Sequence, residues 1–211
     1  MSSLPCPLCS GNSKSFYVFK LREFLRCNSC KSVFTNPAHY LTPAEEKTHY
    51  EWHENDPEDL RYQNFVRPLV NHIFEDFNAA HTGLDFGSGT GSPIVKLLED
   101  EKYNISQYDL FFHNHPQVLQ KGYDYIACSE TAEHFKEPYK EFEQLRNLLL
   151  PNGKLYIMTE RIDNSRDFTT WYYKDDPTHV FLYHENAFKW IKKEFGFKNL
   201  TIDKRIAVLS L

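Results

Sequence analysis

The sequence predicts an α/β fold, in which a mostly parallel sheet ends in an antiparallel pair of strands and a small cysteine-rich module precedes it. Three observations predict it. After residue 60, short apolar segments typical of buried strands alternate with segments of helical periodicity. The last two apolar segments follow each other with no helix between them, which favours antiparallel pairing. Four of the five cysteines form two Cys-x-x-Cys pairs within the first 30 residues.

Size and composition limit the class of protein. The chain has 211 residues, of which 41% are hydrophobic and 16% aromatic, enough for the core of one ordinary domain and a small satellite. No apolar run approaches the roughly 20 residues that cross a bilayer, so an integral membrane protein is excluded. The first residues show neither a basic patch nor an apolar stretch, so we expect a cytoplasmic protein with reduced thiols.

Charge is divided unevenly along the chain. Residues 1–37 carry five Lys and Arg against one Glu, whereas the remaining residues carry 19 Lys and Arg against 28 Asp and Glu. With the cysteine pattern, this places a boundary near Asn36-Pro37, between a module of residues 1–37 and a domain of residues 38–211. The basic module could contact nucleic acid or an acidic partner. We favour the simpler interpretation that it packs against its own acidic domain.

The two cysteine pairs predict a structural zinc site in a ribbon whose strands include residues 16–19 and 24–26. A tight turn within each pair lets both thiolates face one tetrahedral ion, and four protein ligands leave no open position for catalysis. So short a module buries too little surface to fold alone, and zinc would supply folding free energy on the order of 10 kcal/mol. The alternative is two disulfides or free thiols, which a reducing compartment disfavours. The four predicted ligands are Cys6, Cys9, Cys27 and Cys30.

The second module begins with the polar and aromatic residues 40–62, which predict a connector; a lid formed by Trp52-His53 is the alternative. A helix follows over residues 66–77, with Pro68 in its first turn or at a kink. The elements predicted after it are a strand from Thr82 into a glycine turn, a helix from Pro93, strands at Ile105–Asp109 and Tyr123–Ser129, a helix from Glu137-Pro138, a strand at Lys154–Thr159, a helix at His184–Phe195, and the pair Phe197–Ile202 and Arg205–Leu211.

The glycine turn predicts a ligand cleft at the carboxyl edge of the sheet, where α/β proteins bind their ligands. Gly87, Gly89 and Gly91 let backbone approach a ligand where a Cβ would collide. Asp109 ends the neighbouring strand, where a carboxylate can hold a ribose diol. Asp85 lies inside the turn, which disfavours a pyrophosphate and suits an ammonium or sulfonium group. The pattern therefore favours a cationic nucleoside over a dinucleotide, whose fingerprint would require glycine at Ser92.

These motifs resemble those of the class I S-adenosylmethionine (SAM)-dependent methyltransferases. Asp85-Phe-Gly-Ser-Gly-Thr-Gly91 resembles their first motif, and Tyr108-Asp109 resembles their ribose-binding acid. The segment Tyr125–His134, ending in Glu-His, is similar to their fourth-strand motif, and Leu150-Pro-Asn-Gly153 to the turn before the fifth strand. Residues 171–184, with the zinc ribbon, resemble a little-characterised bacterial subgroup. The resemblance implies a Rossmann-like sheet and methyl transfer from SAM to an unidentified small-molecule or macromolecular acceptor.

The resemblance also implies roles for individual residues. Ser129 and Glu130, at the end of the strand Tyr123–Ser129 that corresponds to the family's fourth strand, would face the transferred methyl group. The residues expected to bind the cofactor are Asp85, Gly87, Gly89, Gly91, Asp109 and Ser129.

A general base is expected in the loop that follows the strand Lys154–Thr159. His179 follows Trp171, Tyr172 and Tyr173, which could cover the acceptor, and an imidazole has a suitable pKa for removing a proton. A histidine that only braces the loop is an equal alternative, and His134 is a second candidate for the base. We expect a solvated loop at His113-Asn-His115 and a buried, inert thiol at Cys128.

One segment departs from the family pattern. Only 13 residues separate Asp109 from Tyr123, where the family fits a helix, a strand and a further connection. We therefore expect the third strand and its adenine-contacting acid to be shortened or absent. Phe111, Phe112 and Val118 are then candidates to flank the adenine, with a role in the core as the alternative.

Two other functions compete with methyl transfer. The chain could be a zinc-ribbon binding protein whose methyltransferase-like domain is a catalytically silent scaffold. The intact glycines and Asp109 disfavour this, since a relic need not keep them. A nicotinamide enzyme is opposed by Asp85 and Ser92.

Overall fold

The computed structural model describes residues 3–52, 55–163 and 165–211, which form two sheets flanked by helices. The larger sheet has six strands in the order β5-β4-β6-β7-β10-β9, and the first four of these are parallel. Strand β10 runs antiparallel to both β7 and β9. This confirms the predicted fold class. The strands are β4 (Thr82–Phe86), β5 (Asn104–Tyr108), β6 (Tyr123–Ser129), β7 (Leu149–Met158), β9 (Asn199–Asp203) and β10 (Ile206–Ser210).

The smaller sheet belongs to the N-terminal ribbon. Its antiparallel strands β1 (Ser13–Phe19), β2 (Arg22–Cys27) and β3 (Val33–Thr35) are joined by β8 (Phe181–Leu182) from the far end of the chain. The β1–β2 turn consists of Lys20 and Leu21, both with positive φ, as a tight two-residue hairpin requires. The sequence predicted β1 and β2 but neither β3 nor β8. The boundary after residue 37 stays a prediction, although this sheet draws strands from both sides of it.

The described part of the chain contains five α-helices: α1 (Pro43–Glu51), α2 (Leu60–Asp76), α3 (Pro93–Asp100), α4 (Pro138–Leu148) and α5 (Glu185–Glu194). Helix α1 was not predicted, because it presents no apolar stripe; it begins at a capping box between Thr42 and Glu45. Helix α2 begins at Leu60, so Pro68 lies in the helix interior. The first-turn position is therefore wrong, and the alternative of a kink at Pro68 stays a prediction.

The core lies on both faces of the larger sheet, because neighbouring residues of a strand point to opposite faces. One face packs against α2 and α3, and the other against α4, α5 and the ribbon. In β6, for example, Tyr125 and Ala127 face the first side, whereas Ile126 and Cys128 face the second. On the ribbon side, Phe34 stacks on Phe181 with ring centroids 6.2 Å apart. The ribbon thus packs against its own chain.

The short connection between β5 and β6 has the consequence that the sequence predicted. Residues 110–122 are all described and contain a short 3₁₀ turn at Pro116–Gln120 but no strand. Strand β5 is therefore an edge strand of the sheet.

No helix in the described ranges is long and apolar enough to cross a membrane.

Candidate functional site

The four predicted zinc ligands come together at one end of the ribbon. The four Sγ atoms all lie within 4.8 Å of one another. Those of Cys6 and Cys30 are 3.7 Å apart, and those of Cys9 and Cys27 are 3.5 Å apart. Thiolates around a tetrahedral zinc ion lie about 3.8 Å from one another, so the group fits this ion. All five cysteines of the chain are within the described residues and are free thiols. The fifth, Cys128, is completely buried in β6, and burial raises its pKa.

The glycine turn lies where β4 ends, as predicted. Gly87 and Gly89 have φ angles of 85° and 61°, which other residues rarely adopt. The amides of Gly87 and Ser88 both donate to the carbonyl of Tyr108, at 2.8 and 3.1 Å, which ties the turn to the end of β5. The Ser88 hydroxyl oxygen is buried and has no hydrogen-bond partner among the described residues. A polar atom left free in the turn suits a ligand with polar groups.

The same glycines also make room for the protein itself, which the sequence did not indicate. A Cβ on Gly87 would collide with the side chain of Thr131, and one on Gly91 would lie 2.5 Å from the carbonyl oxygen of Asn55. The connector between α1 and α2 therefore passes directly over the turn. Trp52, which belongs to the lid considered as an alternative to a connector, is 78% exposed, and His53 lies outside the described residues.

The two predicted acids occupy different environments. Asp85 is buried at the end of β4, and burial raises the pKa of its carboxyl to about 7, with Asp109 nearby adding to the effect. Asp109 follows β5 and accepts hydrogen bonds from three backbone amides: those of Phe111 and Phe112 at 2.8 and 3.1 Å, and that of Gly89 at 3.0 Å. Asp109 thus shapes the loop 109–113 as well as the glycine turn.

Two of the three candidates for the adenine pocket, Phe111 and Phe112, lie beside this acid. Phe111 is half-buried, with its ring 5.8 Å from that of Tyr50 in α1 and 6.3 Å from that of Phe112. Val118 packs against the main core. His115 is exposed, in keeping with the solvated loop expected there.

Beyond β6, two glutamates share one tyrosine hydroxyl. The Tyr173 hydroxyl donates to Glu133 Oε1 and lies 3.3 Å from Glu130 Oε2. Glu130 has a φ of 47°, and Glu133 is completely buried. Burial raises the pKa of both carboxyls, and their mutual repulsion adds to the rise for Glu130. Glu130 Oε1 and Glu133 Oε2 are buried without a partner among the described residues.

Arg205, which the sequence did not single out, balances this negative charge. It follows β9, and its guanidinium donates to Glu130 Oε2 at 2.8 Å and lies 3.8 Å from Glu160 Oε1. The guanidinium also lies over the rings of Phe65 and Tyr173, at 5.0 and 6.0 Å. No local motif could have marked Arg205, because it reaches the site only through the antiparallel pairing of β10 with β7.

The two predicted histidines lie side by side near the glutamates. Their ring centroids are 4.9 Å apart, with Nδ1 of His134 3.0 Å from the carbonyl of Thr178 and Nδ1 of His179 2.7 Å from that of Tyr173. Burial lowers the pKa of both imidazoles, that of His179 to about 3 with a further contribution from His134. Both rings are therefore neutral near pH 7.

The three predicted aromatic residues of the loop have different positions. Trp171 is buried, donates from Nε1 to Glu160 Oε2 at 3.2 Å and stacks on Tyr173. Tyr172 is 60% exposed. The ribbon supports this loop, since the Arg22 guanidinium donates to the carbonyls of Lys174 and Asp176, the latter at 2.8 Å.

Comparisons with known proteins agree with this arrangement. Residues 58–202 match the family described as a methyltransferase domain. No curated protein matches the chain. A SAM-dependent methyltransferase from Archaeoglobus fulgidus is 16% identical with a TM-score of 0.56, covering 71% of this chain and 94% of that one.

Two further structures share the fold. A 1,6-didemethyltoxoflavin-N1-methyltransferase from Burkholderia thailandensis, bound to its substrate and S-adenosylhomocysteine, is 12% identical with a TM-score of 0.55, covering 93% of this chain and 98% of that one. The [4+2]-cyclase SpnF is 15% identical with a TM-score of 0.50, covering 71% and 62%. At these identities the likenesses show the fold alone. The family match covers more than half of the chain, which therefore belongs to the methyltransferase-domain family.

Proposed function

We propose that the cleft between the glycine turn and the glutamates transfers a methyl group from SAM to a small-molecule or macromolecular acceptor bound beside Tyr173. One observation carries this proposal: the ends of β4 and β6 are joined, since the Thr131 hydroxyl donates to the carbonyl of Gly87 at 3.2 Å. The turn that would hold the cofactor and the loop that bears the unpartnered glutamate oxygens are thus neighbours. Catalysis of methyl transfer needs this proximity of donor and acceptor.

The cofactor would lie along the glycine turn. When bound, SAM supplies a methyl group made electrophilic by its sulfonium. Asp109 would accept hydrogen bonds from the ribose hydroxyls in place of some of those it now accepts from backbone amides. Asp85 would face the ammonium group through water or the turn amides. The residues assigned to this cofactor site are Asp85, Gly87, Gly89, Gly91, Asp109 and Ser129.

Glu130 is our choice for the group that removes the acceptor proton. Its Oε1 atom is buried without a partner among the described residues, and its raised pKa suits proton transfer near neutral pH. The strongly lowered pKa of His179 makes that imidazole a weak base. In this proposal His134 and His179 lie on the acceptor side but do not remove the proton. Tyr173 positions Glu130, and Tyr172 offers exposed aromatic surface to the acceptor. Trp171 holds the loop in place.

The ribbon would bind one structural zinc ion. The sulfur distances support this, as does the absence of a disulfide among the described cysteines. Thiols stay reduced in the cytosol, so a cytoplasmic location is part of the proposal. The ribbon of residues 1–37 would then act as a structural module of the methyltransferase domain of residues 38–211. A nucleic acid acceptor is not favoured, because that domain is acidic.

Calorimetry with S-adenosylhomocysteine tests the cofactor site. We expect the wild type to bind and Asp109→Asn to lose at least tenfold in affinity, because a neutral amide accepts the ribose hydroxyls more weakly. The matched control is Asp100→Asn, which removes an exposed carboxylate paired with Lys96 on α3. A wild type that does not bind would instead support the silent scaffold. A screen of hydroxyl, amine and RNA acceptors with labelled SAM would then identify the substrate class.

A further inference from the structure

The geometry points to a second metal site, in which Glu133, His134 and His179 bind a divalent transition-metal ion beside the acceptor cleft. One ligand atom from each lies within 4.8 Å of the other two. Two imidazoles and one carboxylate suit ions such as iron(II), manganese(II) or zinc(II), and leave coordination positions open. Ligands of one tetrahedral ion at about 2.1 Å are about 3.4 Å apart, so binding would draw the three side chains closer together.

The imidazoles are oriented as metal ligands usually are. Nδ1 of His134 is 3.0 Å from the carbonyl of Thr178, and Nδ1 of His179 is 2.7 Å from the carbonyl of Tyr173. A carbonyl only accepts, so in each ring Nδ1 carries the proton and Nε2 is the nitrogen left to bind an ion; Nε2 of His179 lies 3.9 Å from Asp176 Oδ2. Histidines that bind metals commonly donate their other nitrogen to a backbone carbonyl in this way.

The carboxylate provides an independent observation. Glu133 is completely buried, and its Oε2 atom has no hydrogen-bond partner among the described residues. An unpartnered buried carboxylate oxygen is costly unless a cation or a donor compensates it. The Tyr173 hydroxyl occupies the other oxygen, Oε1, and would hold the carboxylate in place for the ion.

Backbone contacts fix the three ligands relative to one another. The amide of Val180 donates to the carbonyl of Glu133 at 2.8 Å, which joins the loop of His179 to the turn of Glu133 and His134. The ring of Tyr50 packs edge-on against His134 at 5.3 Å. Both histidines remain partly accessible, so an ion can reach the site from the cleft.

This site would define the acceptor as a hydroxyl compound, an assignment that rests on the proposed function. An ion bound here would hold the acceptor hydroxyl and ease the loss of its proton. The acceptor oxygen would then form a bond to the methyl carbon as the carbon–sulfur bond breaks. Its proton would pass to Glu130, and S-adenosylhomocysteine would leave as the neutral thioether.

The site can be tested by titrating the full-length, zinc-loaded protein with Mn²⁺. Binding is measured as the loss of the electron paramagnetic resonance signal of the free ion. Mn²⁺ is a hard ion and does not compete for the four thiolates. We expect one Mn²⁺ per wild-type chain and at least a tenfold loss of affinity in His134→Gln and His179→Gln. The control is His115→Gln, an exposed histidine outside the cluster, which should bind as the wild type does.

A second measurement needs no variant and so does not depend on how well the substituted proteins fold. Pulsed electron paramagnetic resonance of Mn²⁺ bound to the wild type should show hyperfine coupling to imidazole nitrogens. No binding at millimolar Mn²⁺, or bound Mn²⁺ without nitrogen coupling, would overturn the metal site. Binding of S-adenosylhomocysteine to the same samples separates the two proposals: retained binding without Mn²⁺ refutes only the metal site, and loss of both refutes the proposed function as well.

Discussion

Asp85 contributes to the pH dependence of the protein's stability, and Asp85→Asn should remove that contribution. Burial raises the pKa of this carboxyl from 3.8 to about 7, so the native protein keeps a proton that the unfolded chain releases. The contribution of Asp85 to stability is therefore complete below pH 4 and is lost as the pH rises to about 7. The full loss is on the order of 4 kcal/mol, and between pH 5 and 8 it is roughly 2.6 kcal/mol.

Urea unfolding of both proteins at several pH values between 5 and 8 measures this term. Other buried acids, including Glu130 and Glu133, titrate in the same range, so the informative quantity is the difference between wild type and variant. We expect Asp85→Asn to gain roughly 2.6 kcal/mol over the wild type across this interval. A difference that changes by less than about 1 kcal/mol would refute the reasoning.

The pH dependence of ligand binding tests the same ionisation of Asp85. The ammonium group of S-adenosylhomocysteine favours the ionised carboxylate, so wild-type affinity should rise between pH 5 and 7 and the variant should show a flat profile. Asp100→Asn, which changes an exposed carboxylate at the C-terminal end of α3, serves as the control and should retain the wild-type slope in both assays.

Three other substitutions test separate parts of the structure. Tyr173→Phe leaves both glutamates without their shared donor and should cost about 1–3 kcal/mol of stability in urea unfolding, whereas Tyr172→Phe on the exposed neighbour should cost nothing measurable. Cys27→Ser should abolish stoichiometric zinc in metal analysis and lower the thermal midpoint; full zinc content in this variant would contradict the four-thiolate site. Gly91→Ala places a Cβ 2.5 Å from the Asn55 carbonyl and should weaken S-adenosylhomocysteine binding in calorimetry by displacing the connector; unchanged affinity would show that the connector moves freely.

The regular part of the fold was predictable because local patterns determine it. Strand β6 spans Tyr123–Ser129 in the structure, as predicted, since a short apolar run ending in polar residues marks a buried parallel strand. The short connection after β5 likewise predicted correctly that the next strand of the family pattern is absent. By contrast, α1 has no apolar periodicity, and it begins at a cap whose signal is only Thr42 followed by Glu45.

The site was predictable only where it is encoded by neighbouring residues. The glycine turn and the cysteine pairs are local motifs, and the structure brings each together as the spacing indicated. Arg205 and the unpartnered oxygen of Glu133 depend on contacts between distant segments, which no spacing reveals. Asn55 over the turn is a similar case: the glycines suggested room for a ligand, whereas part of that room accommodates the chain itself.

The pairing of β3 with β8 has a practical consequence for anyone who shortens this chain. A version starting at residue 38 would lose the hydrogen-bonded neighbour of Phe181 and Leu182, and with Arg22 it would lose the anchor of the carbonyls at 174 and 176. Both contacts support the segment that presents His179. We therefore expect such a truncation to displace the segment that carries Tyr173 and His179, so that failure to methylate would reflect the missing ribbon rather than the wrong substrate.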